Sequence, residues 1–136
     1  RDRVAFPGGR QDEQDADAVA AALREAEEEV GLNPAAVQII GQLPIYQTGS
    51  AYRVTPVVGL VAPDAVLHPN PHEVARIFEV PLAFLMNPAH HHRHVYESDG
   101  VRREWFSMPY QEGDQEHFIW GATAGMLRNL YRFLIA

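Results

Sequence analysis

The chain is 136 residues long, 46% hydrophobic and 21% charged, the make-up of one soluble globular domain built around a single core. It has no cysteine, which excludes a disulfide framework, thiolate nucleophiles and cysteine zinc sites and fits a reducing compartment, the cytoplasm. A net charge of −7 with no lysine excludes the broad basic footprint that nucleic acid needs, and no apolar run approaches the roughly 18 residues of a membrane span. The first residue is not Met and the chain opens inside what reads as a motif, so an N-terminal segment is expected to precede it.

In chain order, Val4 to Phe6 reads as a strand end feeding the tight turn Pro7-Gly8-Gly9. A polar loop follows, and Asp15 or Asp17 offers an N-cap to an Ala-rich helix over residues 18–30, with Gly31 placed to end it in a left-handed conformation. At about 100° per residue, Val19, Leu23, Ala26 and Val30 form the core-facing stripe of that helix, while Glu25, Glu28 and Glu29 point together from another face. Strands are expected over 37–43 and 52–62 around a turn-rich loop at 44–51, then a long surface loop over 63–72 and a strand over 73–80. A short helical turn at 81–86 begins with Pro81, and residues 91–98 and 101–109, joined by Asp99-Gly100, carry the clearest hairpin signal. Residues 120–135 read as an amphipathic helix with Ala124, Leu127, Tyr131 and Leu134 on one side. Strands and helices in this order predict an α/β fold, a mixed β-sheet in an α/β/α sandwich, with residues 1–136 forming one domain.

The acidic run on the first helix needs a reason, because like charges three or four residues apart repel by a few tenths of a kcal/mol per pair. A divalent cation supplies one. Oxygen-only ligands on a fixed helix face suit Mg²⁺ or Mn²⁺, hard ions that keep waters and bridge an acidic protein to an anionic diphosphate. Gly8-Gly9 just ahead of the helix lets backbone approach such a ligand with no Cβ in the way.

These residues carry a resemblance. Gly9, the polar loop, and Arg24-Glu25-Ala26-Glu27-Glu28-Glu29-Val30-Gly31-Leu32 resemble the Nudix box of the Nudix hydrolases, whose signature ends Arg-Glu-apolar-x-Glu-Glu-x-Gly-apolar. The second half matches at every fixed position. In the first half the family has Glu eight residues before the Arg, where this chain has Ala16, and Gly six before that, where it has Arg10; with Asp15 as the acid, the stretch is one residue longer. Val4 to Arg10, the Asp-rich loop, Ala22 to Leu32, Leu43 to Ser50, Val74 to Leu82 and Phe118 to Ala124 are similar to the coenzyme A pyrophosphatase subfamily, although Asp2 and Arg3 stand where that subfamily usually has Gly-Gln.

The resemblance implies metal ligands at Glu25, Glu28 and Glu29, with Arg24 positioning a carboxylate, and hydrolysis of a phosphoanhydride by an activated water. The substrate it implies is a small molecule, coenzyme A or its thioesters, cut to 3′,5′-ADP and 4′-phosphopantetheine. For the general base it leaves Glu112, Asp114 and Glu116 open in what reads as a loop before the last helix, and Glu116 is the choice. Gly8, Gly9, Tyr46, Thr48 and Arg53 are the candidate substrate contacts, with Arg102 and Arg103 further cations for a 3′-phosphate. His90, His91, His92 and His94 invite a zinc reading, but no acid or cysteine stands beside them, and an ordinary strand is the more economical account. Trp105, Phe106, Trp120 and Tyr131 read as core or interface aromatics. The hairpin and the long Pro-rich loop leave room for a homodimer. Two other functions stand beside the first: a pyrophosphatase for ADP-ribose, a sugar nucleotide or a dinucleotide, and a Nudix-like module that binds a nucleotide without cutting it.

Overall fold

The structure, a computed structural model, describes residues 3–49 and 51–136. Asp2 of the upstream motif and Ser50 of the Gly-Ser turn lie outside the described residues. The chain divides into two compact units, one of residues 6–78 and one of residues 1–5 with 79–136.

In the first unit the predicted helix forms as expected. Helix α1 runs Ala18–Val30. Asp17 is its N-cap, accepting from the Ala20 N–H at 2.8 Å, a bond worth about 1 kcal/mol. Gly31 ends the helix at φ 67°, and a Cβ there would also lie 3.1 Å from the backbone of His68, so glycine is required twice over. Strands β1 (Val37–Gln42) and β4 (Val57–Val61) pair antiparallel with a bulge between Ile39 and Gly41. The expected long strand over 52–62 is broken. Pro56 has no N–H to give a ladder, its carbonyl accepts from Leu43 at 2.9 Å, and β3 (Arg53–Val54) turns away to pair with β2 (Tyr46–Gln47) inside the expected loop.

The loop over 63–72 packs on α1. His68 and Asn70 donate their N–H groups to the carbonyls of Val30 and Glu29, each at 2.8 Å, satisfying acceptors that a helix C-terminus otherwise leaves to water. The strand expected over 73–80 does not form. The Val74 N–H goes to Asn70 O at 2.8 Å, and the half-buried residues 74, 77, 78 and 80 do not alternate as a strand face must. Residues 4–6 likewise form no strand.

In the second unit, the one-turn helix α2 (Leu82–Leu85) starts after Pro81, and β5 (His92–Ser98), β6 (Val101–Glu112) and β7 (Gln115–Trp120) form an antiparallel sheet. Asp99 and Gly100 turn the first hairpin with φ of 52° and 76°, as a two-residue turn of the favoured twist demands. Strand β7 was not expected. Gly113-Asp114 is a short hairpin turn with Gly113 at φ 58°, so Glu116 stands on a strand opposite Gln111 and not in a loop.

Helix α3 (Gly121–Ile135) covers one face of this sheet. Met108 and Ile119, opposite each other on β6 and β7, are 0% and 3% exposed, and Ala124 and Leu127 meet them from the helix side of the core. Burying side chains of this size contributes about 1.5–3 kcal/mol each. The helix stripe is shorter than expected, because Leu134 is 57% exposed. Thr123 donates its hydroxyl to the Val4 carbonyl at 2.9 Å and so ties the first described residues to this unit. Helices and strands interleave along both units, an α/β fold.

Candidate active site

Arg24 is the hub of the first unit's acidic face. Its Nε and Nη2 donate to both oxygens of Asp15 at 2.9–3.3 Å, and Nη2 also donates to the Arg10 carbonyl at 3.0 Å. Nη1 reaches Glu25 at 3.0 Å and Glu28 at 3.4 Å. One guanidinium thus orients two of the three box carboxylates while a third, Asp15, orients it. The Asp15 side chain is 5% exposed, and its carboxylate also accepts from the Asp12 N–H at 2.9 Å. The bonds from Arg24, then that from Asp12, hold the Asp15 carboxyl below its ordinary range, and Asp15 in turn raises Arg24. Asp15 therefore takes up the guanidinium from one residue ahead of the position where Ala16 offers no acid.

Glu29 lies on the next turn of the helix face, and its carboxyl is in hydrogen-bonding contact with that of Glu25. Gly8 donates its N–H to Glu29 at 3.2 Å, and a Cβ on Gly9 would lie 2.5 Å from Glu25 Oε1. The Pro-Gly-Gly turn thus lies against both carboxylates, and a side chain at Gly9 would have to push the end of Glu25 aside. Burial raises the Glu29 pKa first, and the charges of Glu25 and Glu73 add to it, against the lowering effect of the Gly8 N–H.

Among the described residues no three Asp, Glu or His side chains are gathered in the geometry of a metal cage. Glu28 leans to Arg24 and is 55% exposed, while Glu25 is 16% exposed beside Glu29. The donor set nevertheless fits a hard divalent cation: all ligand atoms are carboxylate oxygens, two carboxyl groups already face each other at electrostatic cost, and the glycine turn leaves room that a Cβ would fill.

The structure distributes the other expected residues. Tyr46 and Arg53 sit on the short β2–β3 hairpin, Tyr46 opposite Val54 and Arg53 opposite Gln47. Thr48 closes that hairpin, accepting from the Tyr52 N–H at its Oγ1 (3.2 Å) and donating its own N–H to Tyr52 O (2.9 Å). Glu112 ends β6 with its carboxylate 3.0 Å from His117 Nε2, and Glu116 is exposed on β7, both in the second unit. Three of these four histidines are held by structure: His90 Nδ1 donates to Phe84 O, His91 Nε2 to Leu85 O, and His94 Nε2 bonds Ser107 Oγ, while His92 lies opposite Ser107 on β5. Glu73 was missed. Only the fold of the 63–72 loop, stapled to α1 through Asn70, brings its charge to bear on Glu29, and nothing in the local pattern marks it.

Comparison with known proteins agrees with this geometry. Residues 1–112 match the NUDIX domain. The chain is 44% identical over 129 residues to "Uncharacterized Nudix hydrolase NudL" of Escherichia coli (strain K12 / DH10B), and 43% identical over the same length to the proteins of that name from Escherichia coli O1:K1 / APEC and Shigella boydii serotype 18. In each case the match takes in 94% of this chain and 65% of the relative, so the chain spans about two thirds of the length of these proteins. A box matched at every fixed position of its second half, an arginine-centred carboxylate network behind a glycine turn, and these relatives together make the chain a member of the Nudix family.

Proposed function

We propose that this protein is a Mg²⁺- or Mn²⁺-dependent hydrolase of nucleoside diphosphate-linked small molecules, with coenzyme A or its thioesters as first substrate, cut to 3′,5′-ADP and 4′-phosphopantetheine. The observation that carries the reading is the convergence of Arg24, Glu25, Glu28 and Glu29 on one helix face, backed by the Gly8-Gly9 turn. Glu25, Glu28 and Glu29 hold the cation. When bound, it neutralises diphosphate oxygens and acidifies a water. Arg24, fixed by Asp15, sets the Glu25 and Glu28 carboxylates and yields Glu28, its longest contact of the two at 3.4 Å, as the ligand set closes. The exposed turn at Gly8 and Gly9 leaves room for the diphosphate, Tyr46, Thr48 and Arg53 contact the remainder of the substrate, and Glu116 takes the proton of the attacking water. Among the described residues no helix is long and apolar enough to cross a membrane; the cytoplasm as location and a homodimer as assembly belong to the same reading.

The test is a substrate panel of coenzyme A, ADP-ribose, sugar nucleotides and dinucleotides with Mg²⁺ or Mn²⁺, run on the wild type and on Glu28→Gln. Turnover of coenzyme A is expected, and Glu28→Gln should lower it at least about a hundredfold while stability stays within about 0.5 kcal/mol, since Glu28 is an exposed side chain. Full turnover in Glu28→Gln overturns the metal assignment. Preference for another diphosphate overturns the substrate, and a melting shift without product would mean a binding module.

A further inference from the structure

The sheet of the second unit leaves the edge at β5 open. Strand β5 pairs with β6 on one side, and among the described residues no strand pairs with it on the other. Strand β7 takes up only Ser107 to Glu112 of β6, so residues 93–98 and 101–106 stand as a two-stranded ribbon, an arrangement that is marginal by itself in water. Val95, Tyr96 and Val101 on this ribbon are 41%, 50% and 49% exposed. The two-residue turn at Asp99-Gly100 makes Ser98 and Val101 a hydrogen-bonded pair, and alternation from there turns the N–H and C=O groups of Arg93, Val95 and Glu97 toward the open edge. Edges are ordinarily blunted by lysine, proline, a bulge or shortness. Strand β5 has none of these: it runs seven residues, His92–Ser98, in unbroken register and without Lys or Pro.

We propose that two copies of this chain join through β5, antiparallel about a two-fold axis at Val95, to make one six-stranded sheet. The strand's own residues select a second copy as the occupant. Centring the pair on Val95 overlaps all seven residues and sets Arg93 opposite Glu97 of the second copy, an attraction made twice by symmetry. Val95 then meets Val95, His94 faces Tyr96, and the outward backbone groups of residues 93, 95 and 97 bond one another across the axis. Centring on Arg93 or on Glu97 would oppose like charges and shorten the overlap. Glu97 makes no ion pair among the described residues. Arg93 gives Nη2 to Glu104 at 2.8 Å and keeps donors for a second carboxylate. At the opposite edge β7 carries Glu116 and no Arg or Lys, so two copies have no such charges to match there. The homodimer belongs to the functional reading above, on which this inference rests to that extent; the strand, the register and the paired charges stand on this sheet alone.

The chain, 15.2 kDa, is followed by sedimentation at concentrations up to about 0.5 mM, beside Arg93→Glu and Glu97→Arg. The wild type should reach twice the mass of one chain. Each variant alone opposes like charges at both ends of the paired strands and should raise the dissociation constant of the dimer at least about tenfold. Mixed in equal amounts, the two variants should associate with each other, because the introduced acid then meets the introduced arginine while the native pair forms at the other end. Val95→Pro removes the central outward N–H and spares the ladder to β6, so it should be monomeric and folded; Arg102→Gln, away from the open edge, should leave the dimer unchanged. A wild type that stays at the mass of one chain overturns the inference. So does a dimer that Arg93→Glu, Glu97→Arg and Val95→Pro leave intact, or a mixture that associates no more tightly than either variant alone. A monomer that cleaves coenzyme A with metal overturns this interface and keeps the chemistry of the functional reading, whereas a dimer that cleaves no diphosphate does the reverse.

Discussion

Replacing Gly9 with alanine isolates the contact between the glycine turn and the helix carboxylates. The added Cβ would lie 2.5 Å from Glu25 Oε1 and 2.6 Å from its Cδ, where ordinary contact begins at 3.4 Å. The Glu25 carboxylate must therefore retreat by about 0.9 Å, the difference between the first and last of these distances. The fold can absorb this. The obstructed atoms are the far end of a flexible side chain, and Gly9 is not in the left-handed region. An off-rotamer Glu costs about 0.5–1.5 kcal/mol, which the reduced freedom of the unfolded alanine chain offsets by about 0.4–1 kcal/mol. Tm should accordingly move by no more than about 4 °C. A displacement of about 1 Å in a group that holds a reacting centre can cost about a hundredfold in rate. Gly9→Ala is thus expected to keep its melting curve and lose Mn²⁺ affinity by calorimetry together with hydrolysis of coenzyme A. If the variant binds Mn²⁺ and turns over within about threefold of wild type, Glu25 is not a ligand in the position argued from this contact.

Two further outcomes follow from the shifted carboxyls. Asp15→Asn keeps the shape of the buttress and loses its charge, so Tm should fall. Because the Asp15 pKa is lowered from 3.8 in the fold, its contribution is present above that value and is lost as pH falls through the lower folded pKa, so the two melting curves should converge in acid; a constant gap across pH would refute an ionic role. Glu29 has the opposite sign. Its pKa is raised above 4.5, so the stabilisation from holding its proton is full below 4.5 and lost as pH rises through the folded value. Metal-free wild type should therefore lose stability relative to Glu29→Gln over that window, and Mn²⁺ binding should begin to weaken on acidification at a pH above 4.5. Parallel stability curves for the two proteins would contradict the crowding of Glu25, Glu29 and Glu73.

What the sequence determined by itself was local. The span Ala18–Val30 and its Gly31 stop are written in residues within one turn of the ends they control, while of the two cap candidates, Asp15 and Asp17, the fold uses Asp17; the Asp99-Gly100 hairpin is likewise encoded in its two turn residues. The helical period alone put Glu25, Glu28 and Glu29 on one face with Arg24 beside them, so the candidate site was legible before any tertiary contact was known. Strand β7 was legible too, in Gly113-Asp114, and passed over. Tertiary structure decided what depends on partners distant in the chain: that Asp15 locks Arg24 where Ala16 cannot, that Pro56 sends β3 and β4 to different neighbours, and that the 63–72 loop closes on the end of α1. The physical reason is the same in each case. Capping, turn conformation and helical phase are short-range energies set by neighbouring residues, whereas the pairing of a buried carboxylate or an orphan carbonyl depends on which distant segment the folded chain brings within hydrogen-bonding reach.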